Sequence, residues 1–249
     1  MTAVLAAGVG ARRGWAWPLR AASFRLESPL TGQPALGILV AQRSLLAQDY
    51  PMAEIGLGAQ RGGPGPRGGL GQRSAATAVI DLLAGLVSPS YGELRVLGED
   101  MRTERGRAAA RARIGVVRRG GRPRPGVRIR GLVEHAARRT GLPRRDRNLL
   151  AAAILDRLSL LPWADVPLRA VPEPIARRAR LAAAAVHQPE LLLIDGLLDG
   201  LSPADAAVLA ACIRDIGRDT GVVAAGDDAD SLTLSCGEVL TLADGILVS

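Results

Sequence analysis

The sequence predicts an α/β protein with a parallel-sheet core, an antiparallel β portion at its N-terminus and a small helical subdomain. Three observations carry this. From Leu191 to the C-terminus, strand-like apolar runs alternate with a long helical pattern, the order that builds parallel sheets. The first forty residues are β-leaning, with short apolar runs at Val4 to Val9, Ser23 to Glu27 and Leu36 to Val40. Between these two parts lie helical patterns over Leu132 to Thr140 and Asn148 to Leu160.

Taken in order, the first two runs are expected to pair around a turn at Arg12 to Pro18, and Leu36 to Val40 is a compact strand. Gly56 to Gly71, rich in Gly and Pro, reads as an irregular loop. Ser74 or Thr77 can cap a helix running to about Leu86, with Val79, Leu82, Leu83 and Leu86 at helical spacing and Pro89 stopping it. Tyr91 to Gly98 reads as turn, strand, turn, and Ile114 to Val117 as a strand. Arg118 to Gly126 is a loop. Ile175 to Val186 is an Ala-rich helix, Leu191 to Ile194 a buried strand, and Pro203 to Gly217 a helix capped by Ser202. Strands at Gly221 to Ala225, Glu238 to Leu242 and Ile246 to Val248 follow. The whole chain, 1–249, reads as one domain with a helical insert at about 120–175.

Composition excludes several classes. Hydrophobic residues make up 48% of the 249, too many for a disordered chain. The longest apolar stretches stop well short of the roughly 20 residues of a membrane-spanning helix. Cys212 and Cys236 stand far apart and read as buried thiols in a reducing compartment, which with the absence of a secretory pattern points to the cytoplasm. All 32 basic residues are arginine, so any chemistry that needs a lysine is excluded, including the ammonium of a phosphate-binding loop. The net charge of +8 is uneven: sixteen arginines lie between Arg102 and Arg147 against Glu104, Glu134 and Asp146, whereas eleven acids from Glu190 onward face only Arg214 and Arg218. Such a basic region can meet phosphates, anionic lipid or an acidic protein surface, or simply be a solvated face.

Several stretches together resemble the ATP-binding subunit of an ABC transporter. Leu82-Leu-Ala-Gly-Leu86 and Ser88 to Gly98 resemble the helix after the phosphate loop and the hairpin that follows it. Ile114-Gly-Val-Val117 resembles the strand before the Q-loop, Ala184 to Asp195 the helix and strand carrying Walker B, and Leu198 to Pro203 the D-loop. Val239 to Gly245 resembles the family's last strand pair. The resemblance covers nearly the whole chain. It implies a P-loop NTPase-like ABC ATPase fold, ATP and Mg2+ as cofactors, a permease subunit or a competent ABC ATPase as partner, and a peripheral position at the inner face of the cell membrane.

The positions that would carry the chemistry depart from the family pattern. Walker A glycine and lysine fall on Ala75 and Ala76, the Q-loop glutamine on Arg119, and the signature on Val171-Pro-Glu-Pro-Ile175. Asp195 of Walker B is kept, but the acid after it is Gly196; the switch histidine falls on Asp227 and the D-loop aspartate on Ser202. The adenine-stacking aromatic falls near Arg13, with Trp15 or Trp17 as substitutes. No residue is assigned a catalytic role. Gly69, Gly71, Ser74, Thr77 and Asp195 are the vestigial nucleotide-binding candidates, with Thr77 and Asp195 as weak Mg2+ ligands. Against these stand plainer roles: Asp195 as the polar end of a buried strand, Thr77 as a cap or helix hydroxyl. His135 and His187 have no metal-ligand spacing.

Three functions are expected from these readings. The first is a catalytically silent partner of a competent ATPase or permease. In the second, the chain helps sandwich ATP in a heterodimer whose partner supplies the missing groups. The third is a nonspecific nucleic-acid binder using the region 102–147, where sixteen guanidinium groups could neutralise several phosphates.

Overall fold

The computed structural model describes residues 2–13, 16–27, 36–40, 75–120, 126–243 and 246–248. The expected loop at Gly56 to Gly71, together with Gly69, Gly71 and Ser74, lies outside the described residues.

Two long strands open the chain, β1 (Thr2–Arg13) and β2 (Ala16–Glu27), paired antiparallel. They absorb the segment Arg12 to Pro18 expected as a turn, except for residues 14–15. On the other side of β1 lies the hairpin β4 (Tyr91–Val96) and β5 (Glu99–Asp100). The remaining strands are β3 (Leu36–Val40), β6 (Ile114–Val117), β7 (Leu191–Asp195), β8 (Gly221–Gly226), β9 (Glu238–Ala243) and β10 (Ile246–Val248). Among the described residues the strand order is β5-β4-β1-β2-β10-β9-β3-β8-β7-β6. From β9 to β6 every neighbouring pair is parallel. The expected α/β architecture, a parallel core beside an antiparallel portion, is therefore the observed one.

Strand β7 sits inside the parallel part with all five residues buried, which is why Leu-Leu-Leu-Ile-Asp is continuously apolar before its last residue. Its alternating side chains serve two cores. Leu191 and Leu193 face α1 (Ala75–Leu83) through Val79, Ile80 and Leu83. Leu192 and Ile194 face the larger cluster built on α5 (Glu173–Ala185), with Ala179, Leu181 and Ala182, and α6 (Pro203–Ile216), with Leu209 and Ile213. Helices α3 (Ile129–Arg139) and α4 (Arg144–Arg157) add Val133, Ala137, Ile154 and Leu155 to that cluster.

Helix α1 stops at Leu83, short of the Leu86 expected, because Gly85 takes φ +67° and Leu86 N–H turns back to the Asp81 carbonyl. Thr77 is the third residue of this helix and is no cap. Two helices have no counterpart in the sequence reading. Helix α2 (Glu104–Arg113) is capped by Thr103, whose hydroxyl accepts from Gly106 N–H. Helix α7 (Ala229–Ser235) is capped by Asp228, whose side chain accepts from Asp230 N–H. Ser202 caps α6 as expected, accepting from Asp205 N–H at 3.2 Å.

Close approach fixes the glycine of β6. A Cβ on Gly115 in β6 would lie 2.3 Å from the Ala184 carbonyl oxygen, so only glycine lets the end of α5 pack this near the strand.

Candidate functional site

Parallel sheets gather functional groups at the carboxyl ends of their strands, where the chain leaves for the next helix. Four charged residues meet at that edge. Asp195 ends β7, Asp199 lies in the turn after it, Asp227 follows β8, and Arg119 stands two residues beyond β6. Because β6, β7 and β8 are adjacent and parallel, their exits point the same way and bring together residues up to 108 apart in sequence.

One guanidinium holds all three carboxylates. Arg119 Nη1 donates to Asp227 Oδ2 at 2.6 Å, Nη2 lies 2.6 Å from Asp199 Oδ2, and Nε lies 3.5 Å from Asp195 Oδ1. Asp195 is 2% exposed, and its other oxygen accepts a 2.9 Å hydrogen bond from the Thr77 hydroxyl on α1. The contact from Nη2 to Asp199 Oδ2 is close but not aligned as a hydrogen bond, and Asp199 Oδ1 accepts instead from Asp227 N–H. Burial therefore dominates at Asp199 and pushes its carboxyl up, with the Asp227 amide and the Arg119 charge acting the other way. At Arg119 burial opposes the charged form, but the Asp227 hydrogen bond and the charges of Asp199, Asp227 and Asp195 outweigh it and hold the guanidinium above its ordinary pKa.

The neighbouring arginine is also turned inward. Arg118 Nη1 contacts Asp81 Oδ1 at 2.7 Å, and Asp81 is a carboxylate of α1 whose side chain is 3% exposed. Arg177 on α5 reaches the same turn from the far side, donating to the carbonyls of Leu197 and Asp199 and to Glu173. The stretch Val171 to Ile175 thus leads into α5, with Pro172 at its N-cap and Glu173 in its first turn paired to Arg177 and Arg180.

Of the candidates read from the sequence, Thr77 and Asp195 are brought together; Gly69, Gly71 and Ser74 lie outside the described residues. The side chains of Ala75, Ala76 and Trp17 are likewise outside the description, as is Trp15. Asp81, Asp199 and the bridging role of Arg119 were missed. The signal available in the sequence was reciprocal charge: the pair Arg118-Arg119 at one strand end, and acids at 195, 199 and 227 at its neighbours.

These residues do not fit a magnesium ion. Gly196 takes φ +61°, and a Cβ there would lie 2.4 Å from Arg119 Nε and 2.7 Å from its Cζ. The guanidinium thus fills the space beside Asp195 that a side chain at position 196 would use. A divalent ion would meet a cation already seated against its carboxylates, and the Thr77 hydroxyl is engaged with Asp195. Among the described residues, no group of three or more His, Cys, Asp and Glu is arranged to hold a metal.

The basic region is partly neutralised. Arg107 and Arg111 pair with Glu104, Arg113 with Glu190, and Arg130 with Asp165. Arg138 and Arg139 in the last turn of α3, and Arg144 and Arg145 in the first turn of α4, are exposed and close together along the chain. Among the described residues no helix is long and apolar enough to cross a membrane.

No family model matches the sequence. The chain is similar to "Methionine import ATP-binding protein MetN 2" of Burkholderia mallei, 30% identical over 174 residues that make up 69% of this chain and 43% of the relative. It is also similar to "Nod factor export ATP-binding protein I" of Bradyrhizobium diazoefficiens, 32% identical over 135 residues, 54% of this chain and 44% of the relative. These matches span less than half the length of either relative. Among solved structures, cbiO1 from Clostridium perfringens, part of the ABC transporter complex cbiONQ, aligns with TM-score 0.75 at 16% identity over 100% of this chain and 87% of that one. A nucleotide-free ATP-binding cassette from an ABC transporter aligns with TM-score 0.72 at 12% identity over 100% of this chain and 90% of its own. The fold is therefore that of an ABC ATPase domain.

Proposed function

We propose that this chain is an ABC transporter ATP-binding component whose own nucleotide site is closed by its side chains, so that it works as a structural or regulatory partner of a permease, a competent ATPase, or both. The observation that carries the reading is the Arg119 guanidinium among Asp195, Asp199 and Asp227. Phosphoryl transfer depends almost wholly on positioning and electrostatic stabilisation of the phosphates. Among the described residues three carboxylates surround the Arg119 cation next to Asp195, Gly196 offers no base to a water, and the sequence has no lysine. A triphosphate approaching that edge would meet net negative charge.

On this reading the chain is one ABC-ATPase-like unit with its helical insert at about 120–175, held in the cytoplasm against the inner face of the membrane. Docking falls to the insert and the segment after β6. A groove of about 360 Å³ there is lined by Val116, Val117, Leu132, Ala136, Leu168 and Ala183. In the same insert, Arg144 and Arg145 stand in the first turn of α4, where the helix dipole disfavours cations, so an anionic partner would relieve them. An acidic permease loop or anionic lipid fits that chemistry. Nucleic acid is less well served, because Arg107, Arg111, Arg113, Arg118, Arg119 and Arg130 are already paired within the chain. A heterodimer in which this chain helps sandwich ATP would require Arg119 to leave its three partners.

The test is ATP turnover by the purified chain, alone and reconstituted with a permease encoded beside it. The reading expects none from the chain alone and retention of the chain on permease-containing vesicles. Turnover that disappears in Asp195→Asn overturns it. Changing Arg138, Arg139, Arg144 and Arg145 to Ser should weaken vesicle retention. If DNA binds tightly while vesicles and permease do not, the nucleic-acid reading replaces this one.

A further inference from the structure

Arg180 on α5 is recessed, yet among the described residues its guanidinium makes no hydrogen bond. Its only ion contact there is 3.7 Å to Glu173 Oε1, an oxygen that already accepts from Arg177 Nε at 3.0 Å. The arginines around it are better served: Arg177 also donates to the carbonyls of Leu197 and Asp199, Arg118 has Asp81, and Arg119 has its three carboxylates. The Arg180 side chain is 23% exposed, against 87% for Arg145 at the start of α4. A guanidinium with five donors, drawn largely out of water beside one shared acceptor, is short of partners.

Its place gives the missing partner a direction. Arg180, Ala183 and Ala184 stand at helical spacing on one face of α5, and that face lines the apolar groove together with Leu132 and Ala136 of α3. A second cavity of about 460 Å³ adjoins the groove and is lined by Glu173, Arg177, Leu197 and Asp199. Arg118, Gly120 and Arg180 line both cavities, so an apolar half and a charged half meet at these three residues. Of the two cations at the join, Arg180 is the one whose acceptor is shared.

We propose that Arg180 receives a carboxylate from the permease segment that docks in this groove, so that the groove selects a segment with apolar side chains next to an acidic one. The proposal rests on the reading that the groove is the permease-docking surface, and it adds the chemistry the partner must present. A segment without the acid would cover the guanidinium and leave it unpaired, and that loss is how a recessed charge discriminates between partners. The occupant is a protein carboxylate and not a lipid headgroup, because a membrane surface meets a protruding side chain such as Arg145 before one recessed in a groove wall.

The experiment measures binding of the full chain, Arg180→Met and Arg180→Glu to neutral vesicles that carry the permease encoded beside it, with thermal melting of all three as the folding control. Arg180→Met removes the charge and should weaken binding roughly tenfold, the lower end for a charged hydrogen bond because the side chain is partly exposed. Arg180→Glu should weaken it further, since it sets like charges against each other. Acids in the cytoplasmic loops of the permease are then changed to Lys one at a time. One such change should weaken binding of the native chain and restore that of Arg180→Glu.

Folded variants that bind like the native chain overturn the proposal, and so does a loss that no change in the permease restores. An equal loss on protein-free anionic vesicles assigns Arg180 to lipid and overturns it as well. Should Arg180→Glu fail to fold, Arg180→Met decides: a permease acid whose change to the amide weakens the native chain but not Arg180→Met supports the proposal, and the absence of such an acid overturns it. A native chain that permease vesicles do not retain sinks the functional reading and this proposal with it, whereas a retained native chain with an indifferent Arg180→Glu sinks this proposal alone.

Discussion

Gly196→Ala isolates the contact on which the closed site depends. Its φ of +61° costs an alanine about 1 kcal/mol by itself. The new methyl would also lie 2.4 Å from Arg119 Nε. A free arginine tip would swing away at little cost, but this one is held by Asp227, Asp199 and Asp195, so moving it sacrifices those ion pairs. For charged hydrogen bonds that loss is about 1.5–3 kcal/mol, taken near the lower end because Arg119 is about a third exposed. The single variant should thus lose about 2–4 kcal/mol, or roughly 5–12 °C in melting temperature. Arg119→Ala alone should lose about 2–3 kcal/mol, less than a fully buried pair would. In the double variant the clash is gone and only the backbone strain is added. The two losses should therefore fall short of additivity by about 1–2 kcal/mol in a double-mutant cycle measured by urea unfolding. Strict additivity would refute the argument, since it would mean that the methyl added at position 196 and the Arg119 guanidinium do not compete for the same space.

Three further outcomes follow from the same geometry. Burial lowers the pKa of His187 despite a backbone hydrogen bond with Ile114, so the folded state binds its proton less readily than the unfolded state. Stability from this group is present above about pH 6.5 and is lost as the pH falls through that value towards the lower folded pKa; the difference in melting temperature between the native chain and His187→Gln should change sign or size across that window. Gly115→Ala should destabilise by about 2–4 kcal/mol in urea unfolding, because its methyl would meet the Ala184 carbonyl in a backbone that cannot yield cheaply. The pair Ala76→Lys and Gly196→Glu, which puts back two family side chains, should give no ATP turnover in a phosphate-release assay, because a side chain at 196 is aimed into the Arg119 guanidinium.

The parallel core was legible because its strands are buried on both faces. Leu191 to Ile194 and Gly221 to Ala225 are apolar without a break, and Ser202-Pro203 announces α6. Helix α2 was hidden by its composition: Arg105, Arg107, Arg111 and Arg113 leave few apolar positions to mark a period, and only Gly106 and Ala110 are buried. Helix α7 is seven residues long, too short for periodicity to emerge. At the site, the departures at Gly196, Arg119 and Asp227 were each visible as residue identities. Their relation was not. That Arg119 occupies the room released by Gly196, and that Asp227 completes its shell, depends on β6, β7 and β8 being neighbours, which is a property of the strand order.

Titration of Mg-ATP into the purified chain, followed by calorimetry, tests the closed site most directly. The account predicts no saturable heat through the micromolar range, the same for the native chain and Asp195→Asn. Saturable micromolar binding by the native chain, abolished in Asp195→Asn, would show that Arg119 yields the site to nucleotide and would contradict the account.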